Sequence, residues 1–316
     1  MTEQSPGLVQ PVDAALDAPR LDLDTPVGRL SVYWSVPSGL AAQTPPLLLI
    51  HSVNAAASAA EIAPLFRYFS AQRIVLALEL PGFGYSDRSD RLYTPRLMTD
   101  AIHAALAAIA GRHGEVPVDV LAVSLASEFA ARAAMEAPQR IGRLALVSPT
   151  GLSGRKVRKA PLGSTLYKAG VHAFLRRPLW SQALFELLTR PGVVRYFLRR
   201  TFGSQAIDES LWHACVQTAR RPGARHAPLC FLSMAMFSTD IHTVYEALQC
   251  PVWLSMPTRG DFIDYKGLSL LKTRTRWQAV CVPGGALPYF EDCPGFVARL
   301  DRFLEGTPAA PASPAA

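Results

Sequence analysis

The sequence has little that would place it outside an ordinary globular class. Its five cysteines, Cys215, Cys230, Cys250, Cys281 and Cys293, include no CxxC pair and no Cys/His ligand spacing. That pattern argues against a zinc site and against a disulfide framework, so reduced structural thiols, no metal and no cofactor are expected. Cytoplasm is the default location. No apolar run approaches the roughly 18–20 residues of a membrane-spanning helix, the longest being of strand length, as at 46–50. The first twenty residues carry Glu3, Asp13 and Asp17 and lack the basic start and apolar stretch of a secretory signal. They are expected to be flexible. So is the Pro/Ala tail TPAAPASPAA at 307–316. No internal repeat is visible.

What is present is enough apolar material for a large core: of 316 residues 49% are hydrophobic and 18% charged, which confines disorder to the ends. Strand-like runs fall at 30–36, 46–51, 73–80, 116–124, 143–148, 251–256 and 277–283. Several are continuous rather than alternating, as in a parallel sheet covered on both faces. Between them lie helical stretches such as 94–111, where Leu97, Ala101, Ala104, Ala105 and Ala108 share a face. The alternation predicts an α/β fold with a doubly wound, mostly parallel sheet of the eight-stranded type.

After residues 148–151 about 95 residues follow without a convincing strand. Two helical stripes occur there: Leu179, Trp180, Ala183, Leu184, Leu187 and Leu188, then Val194, Phe197 and Leu198 opposite Arg195 and Arg199. The expected organisation is a core of residues 21–150 and 246–306, with a helical cap, residues 151–245, over the carboxyl edge of the sheet. The whole chain has 32 Lys/Arg against 25 Asp/Glu, a net +7, and the cap holds 14 against 4 of these. Two readings stand for that basicity: a solvated exterior, or attraction to an anionic membrane surface or anionic substrate. No nucleic-acid-binding motif accompanies the charge, so no nucleic-acid partner is expected.

The most informative segment is VDVLAVSLASEFAARAA at 118–134. An apolar strand runs into Ser124 and turns directly into an Ala-rich helix, the layout of a nucleophile elbow, in which a strained turn exposes the hydroxyl above the sheet. Here G-x-S-x-G is written Ala122-Val123-Ser124-Leu125-Ala126. Glycine serves close packing there, and alanine disturbs it least. Taken by itself the pattern is weak, and Ser124 would better suit an ordinary capping serine at a strand-to-helix turn.

Other segments extend the pattern, and with them the chain resembles the α/β-hydrolase superfamily, particularly its capped esterase, lipase and epoxide-hydrolase-like members. PPLLLIHS at 45–52 resembles the strand ending in the family's His-Gly turn, with Ser52 in the glycine position. LELPGFGYSDR at 78–88 resembles its acidic-x-Pro-Gly-x-Gly-x-Ser loop, with Glu79 in the acidic position. RLALVSPTG at 143–151 and EDCPGFVARLDRFL at 291–304 fit the strand after the elbow helix and the final helix. The resemblance spans about 21–151 and 251–306.

It implies Ser124 as nucleophile, backbone N–H groups of Leu125 and Ser52 as the oxyanion hole, and a structural role for His51. The acid is expected after the strand at 251–256, at Asp261, with Asp264 as runner-up and an ordinary turn aspartate as the plain alternative. The family's histidine belongs in the segment GGALPYFED at 284–292, where Ala286 stands in its position, and no histidine follows His242. Tyr289 is a poor base, with an ordinary pKa near 10, and His242 would have to reach the site from an unusual direction. His172 and His213 read as packing or surface residues. Loss of a triad member leaves about 10³–10⁴-fold catalysis over water. The resemblance therefore implies action on a small apolar or acyl ester or thioester through Ser124. A non-hydrolytic enzyme of lyase or isomerase type and a catalytically silent ligand-binding protein stand as the alternatives.

Overall fold

In strands that read Leu-Leu-Leu-Ile or Val-Leu-Ala-Leu both faces are apolar, so both must be covered by helices. The computed structural model, which describes residues 15–38 and 44–306, arranges the chain in that way. Its strands are β1 (Arg20–Thr25), β2 (Gly28–Ser35), β3 (Leu47–Ile50), β4 (Val75–Leu78), β5 (Val118–Val123), β6 (Ile141–Val147), β7 (Val252–Pro257) and β8 (Trp277–Val282). They form one sheet in the order β1-β2-β4-β3-β5-β6-β7-β8. β2 is antiparallel to both β1 and β4, and every other pair is parallel. This is the expected doubly wound, mostly parallel sheet.

The helices of the sheet-bearing part are α1 (Ala63–Phe69), α2 (Pro95–His113) and α3 (Ala126–Glu136). Six more lie between β6 and β7: α4 (Ala169–Leu175), α5 (Ser181–Leu188), α6 (Pro191–Phe202), α7 (Glu209–Ala219), α8 (His226–Leu232) and α9 (Ile241–Glu246). α10 (Cys293–Leu304) closes the described chain. The period-2 geometry of a strand sorts the core. Leu48 and Ile50 of β3 join Met98, Ile102 and Leu106 of α2 and Phe129 of α3. Leu47 and Leu49 join Phe66 and Phe69 of α1 and Phe296 and Leu300 of α10 on the other face. α2 starts where the Thr94 hydroxyl accepts the Leu97 N–H at 3.3 Å, with Pro95 in its first turn. The expected face is the one it buries: Ala101 and Ala105 are fully buried, with Leu97, Ala104 and Ala108 partly so.

Two features depart from the sequence reading. β1 is an additional strand. Its Leu21 and Leu23 alternate with Arg20, Asp22 and Asp24, and Arg20 pairs with Asp22 at 2.8 Å, so the charge of a half-exposed edge strand masks its apolar side. The stripe at 179–188 does not face the core: Leu179 is 87% and Leu187 48% exposed, whereas Ser181 and Phe185 of α5 are buried. In α6, Val194, Leu198 and Phe202 are buried while Phe197 is exposed. Periodicity identifies a stripe but not the neighbour that would cover it.

Of the ends expected to be flexible, residues 1–14 and the tail 307–316 lie outside the described residues. Within 15–20, Leu16 is buried and the Ala15 N–H donates to the Tyr33 hydroxyl at 3.1 Å. All five cysteines are free thiols. Among the described residues no helix is long and apolar enough to cross a membrane.

Candidate active site

Parallel register gathers the candidate residues at the carboxyl edge of the sheet. Ile50 pairs with Ala122 and Val123 with Val147. Carried forward, these registers set Ser52 and Ser148 on either side of Ser124. Ser124 (φ 55°) and Ser148 (φ 49°) are two of the three described non-glycine residues with positive φ. Such a conformation costs on the order of 1–3 kcal/mol and persists only where surrounding bonds over-determine it. Around Ser124 they do. Its N–H donates to the Val147 carbonyl at 2.8 Å and its carbonyl accepts the Ser127 N–H at 3.1 Å. Ala122 and Ala126, on either side of the turn, are fully buried. Ser124 itself is half-buried.

The helix that Ser124 launches is held at its far side. Arg132 makes a buried two-point ion pair with Asp240, at 2.7 and 3.1 Å. Glu128, also buried, accepts the Thr150 hydroxyl on one carboxylate oxygen and the Ser238 N–H on the other, at 2.5 and 2.9 Å. Burial raises the pKa of Glu128 above the usual carboxylate range.

The two expected oxyanion donors are in different situations. The N–H of Leu125, which precedes the first turn of α3, donates to no acceptor among the described residues. The N–H of Ser52 donates to Glu61 Oε2 at 2.8 Å. The Asn54 side-chain amide joins the same cluster, donating to Ser52 Oγ at 3.0 Å and to Glu61 Oε1 at 2.6 Å. Burial pushes the Glu61 carboxyl up, against the lowering effect of these bonds. Glu61 was not singled out from sequence. A glutamate in an Ala-rich turn carries no signal of the backbone N–H it will meet nine residues away.

Asp261, expected as the acid, and Ala286, where a histidine is expected, both contact α6. Asp261 is exposed, and its carboxylate is forked by Arg200 at 2.6 and 3.0 Å. Asp264 is also exposed and accepts the N–H groups of Gly154 and Lys266, which hold its pKa below the usual range. In the turn after β8, Gly285 lies so close to α6 that an added Cβ would stand 2.4 Å from the Phe202 backbone. The Ala286 N–H donates to the Thr201 carbonyl at 2.8 Å, and its carbonyl accepts the Ser148 hydroxyl at 2.9 Å. α6 ends at Gly203 in the left-handed conformation, against Gly260. The Arg259 Nε–H donates to the Phe202 carbonyl at 3.1 Å.

The remaining candidate bases are committed elsewhere. His51 Nδ1 donates to the Ser52 carbonyl at 2.6 Å and Nε2 accepts the Leu80 N–H at 3.1 Å, and burial holds its pKa down to about 4. His242 Nε2 donates to the Gly151 carbonyl at 3.0 Å and Nδ1 accepts the Arg158 N–H at 3.2 Å. The Tyr289 hydroxyl donates to the Glu61 carbonyl at 2.8 Å, and burial lifts its pKa well above 10. A cavity of about 770 Å³ opens beside α7, lined by Arg67, Glu79, Tyr85, His213 and Arg221 among others, and neither Ser124 nor Asp261 lines it. Among the described residues no three His, Cys, Asp or Glu side chains gather as a metal site.

Comparisons with known proteins agree with this architecture. A family model described as the α/β hydrolase fold matches residues 45–210. The chain is similar in structure to a serine hydrolase involved in carbazole degradation, with a TM-score of 0.68 at 13% identity over 90% of this chain and 98% of that one. The carboxylesterase CesB from Bacillus subtilis gives a TM-score of 0.65 at 17% identity over 92% of each chain. The 2-hydroxy-6-oxo-6-phenylhexa-2,4-dienoate hydrolase from Rhodococcus sp. strain RHA1 gives 0.67 at 15% identity over 91% and 99%. A search of curated proteins found no match by sequence.

Proposed function

Since the chain belongs to the α/β-hydrolase family, we propose that it is an enzyme of hydrolase type that acts on a small, mostly apolar ester or thioester through Ser124. The carrying observation is the left-handed Ser124 (φ 55°) at the carboxyl edge of the sheet, because strain of that kind is retained where a side chain must be presented. In this reading residues 151–245 are a cap over a core of 21–150 and 246–306. The Ser124 hydroxyl adds to the carbonyl carbon and the Leu125 N–H meets the developing oxyanion. The carbon–oxygen or carbon–sulfur bond then breaks, the alcohol or thiol leaves with the serine proton, and water releases the acid.

Two costs accompany this chemistry. A missing oxyanion donor costs about 3–4 kcal/mol of transition-state stabilisation, and the absence of an imidazole at Ala286 removes several further orders of magnitude in rate. Turnover of simple esters is therefore slow. A second reading, a lyase- or isomerase-type enzyme or a silent ligand-binding protein, is favoured by one set of observations: α6 occupies Asp261, Gly285 and Ala286, and Glu61 occupies the Ser52 N–H.

A fluorophosphonate probe at neutral pH separates the two readings, with Ser124→Ala as control. Labelling that disappears in the control supports a nucleophilic serine. A folded protein that resists the probe shifts the assignment to the second reading.

A further inference from the structure

The apolar stripe turned away from the core does not stand alone. Nine of the fourteen large apolar side chains exposed among the described residues lie between residues 151 and 245, about a third of the described chain, so the exposure is concentrated rather than scattered. At one end the Phe174 ring stands 5.0 Å from Trp180, whose indole N–H donates to the Phe174 carbonyl at 3.0 Å, and the adjoining Leu179 is 87% exposed. α5 adds Leu187, and α6, packed beside it, adds Tyr196 and Phe197. The Arg200–Asp261 fork carries the surface on to Ile263, itself 55% exposed.

The same stretch is strongly basic. From residue 168 to 200 there are seven Lys/Arg, namely Lys168, Arg176, Arg177, Arg190, Arg195, Arg199 and Arg200, against the single acid Glu186. Arg176, Arg195 and Arg200 have carboxylate partners. Lys168, Arg177 and Arg190 are exposed and form no ion pair among the described residues.

Charge selects the occupant. A second copy of this face would bring like charge against like, whereas an anionic bilayer offers headgroup phosphates to the cations and an interfacial zone to the aromatic and leucine side chains. We propose that the face formed by the 174–180 turn, α5 and α6 docks on an anionic phospholipid surface.

Flotation with phosphatidylglycerol/phosphatidylcholine vesicles, and with phosphatidylcholine alone, tests the proposal. Binding is expected to the anionic vesicles at low salt, to fall steeply as salt rises, and to be absent from the neutral ones. Arg177→Ala with Arg190→Ala should weaken it roughly twenty-five-fold, about fivefold per cation removed. Leu179→Asp should abolish it with an unchanged melting curve, since that side chain touches little. Equal binding to both vesicle types, no binding to either, or wild-type binding by both variants overturns the proposal. So does a monomer–dimer equilibrium in sedimentation that Leu179→Asp removes from a protein that ignores vesicles.

Discussion

The turn after β5 and the turns after β7 and β8 lie along one sheet edge and are held by opposite means. The first is tied inward: Ser124 is pinned by Val147 and Ser127, while only the far side of its helix reaches the inserted segment, at Ser238 and Asp240. The other two are tied chiefly outward, to the last turn of α6, through Asp261, Gly285 and the Ala286 N–H, with the Ala286 carbonyl alone turned inward to the Ser148 hydroxyl. In the proposed reading, an acid and a base would have to reach Ser124 from those two turns. Here their hydrogen-bonding capacity and close approach serve the junction with the helical segment. Neighbouring turns on one sheet edge can thus be given to different tasks, a strained serine at one and packing against a helix at the others.

The strongest way to break this contrast is Gly285→Ala. The new methyl would meet Phe202 backbone at 2.4 Å, and backbone cannot yield as a flexible side chain does. We expect a loss of about 2–4 kcal/mol in denaturant unfolding. A near-neutral result would mean that α6 is not seated on the turn.

A second experiment sharpens the inward side through pH. Burial holds His51 down to about 4 against an ordinary value of 6.5, so the unfolded chain takes up the extra proton first as pH falls. The stabilisation from a neutral His51 is fully present above pH 6.5 and is lost as pH falls toward 4, about 3 kcal/mol in all. Glu61 and Glu79 are shifted up by burial, so their stabilisation is present at low pH and is lost as pH rises past the ordinary carboxylate range. The informative quantity is therefore the difference between wild type and His51→Gln, whose stability should fall less between pH 6.5 and 4. Parallel profiles would show that the ring is not a buried neutral group.

The smallest expected effect is also the most specific to Ser124. Glycine accepts φ 55° without steric cost, so Ser124→Gly should raise stability by about 1 kcal/mol while removing any fluorophosphonate labelling. A lower melting temperature would argue that the serine's own bonds outweigh the strain.

Much of this is legible in the sequence. Continuous apolar runs mark β3, β4 and β5, and the switch from strand to helix around Ser124 is equally readable, because both signals are local. β1 is not, since Leu21 and Leu23 share their strand with four charged or polar neighbours. Nor is the fate of Asp261: Arg200 lies 61 residues earlier in the chain, and no spacing rule links a turn aspartate to a helix that distant. Glu61 escaped for the same reason in reverse, being near in sequence but chosen by a backbone N–H that carries no side-chain signature.

The two oxygens of Glu128 have a topological consequence. One holds Thr150, just after the chain leaves β6, and the other holds Ser238, just before α9 leads it back to β7. Residues 151–237 thus leave and re-enter at a single carboxylate, as a loop closed at its neck.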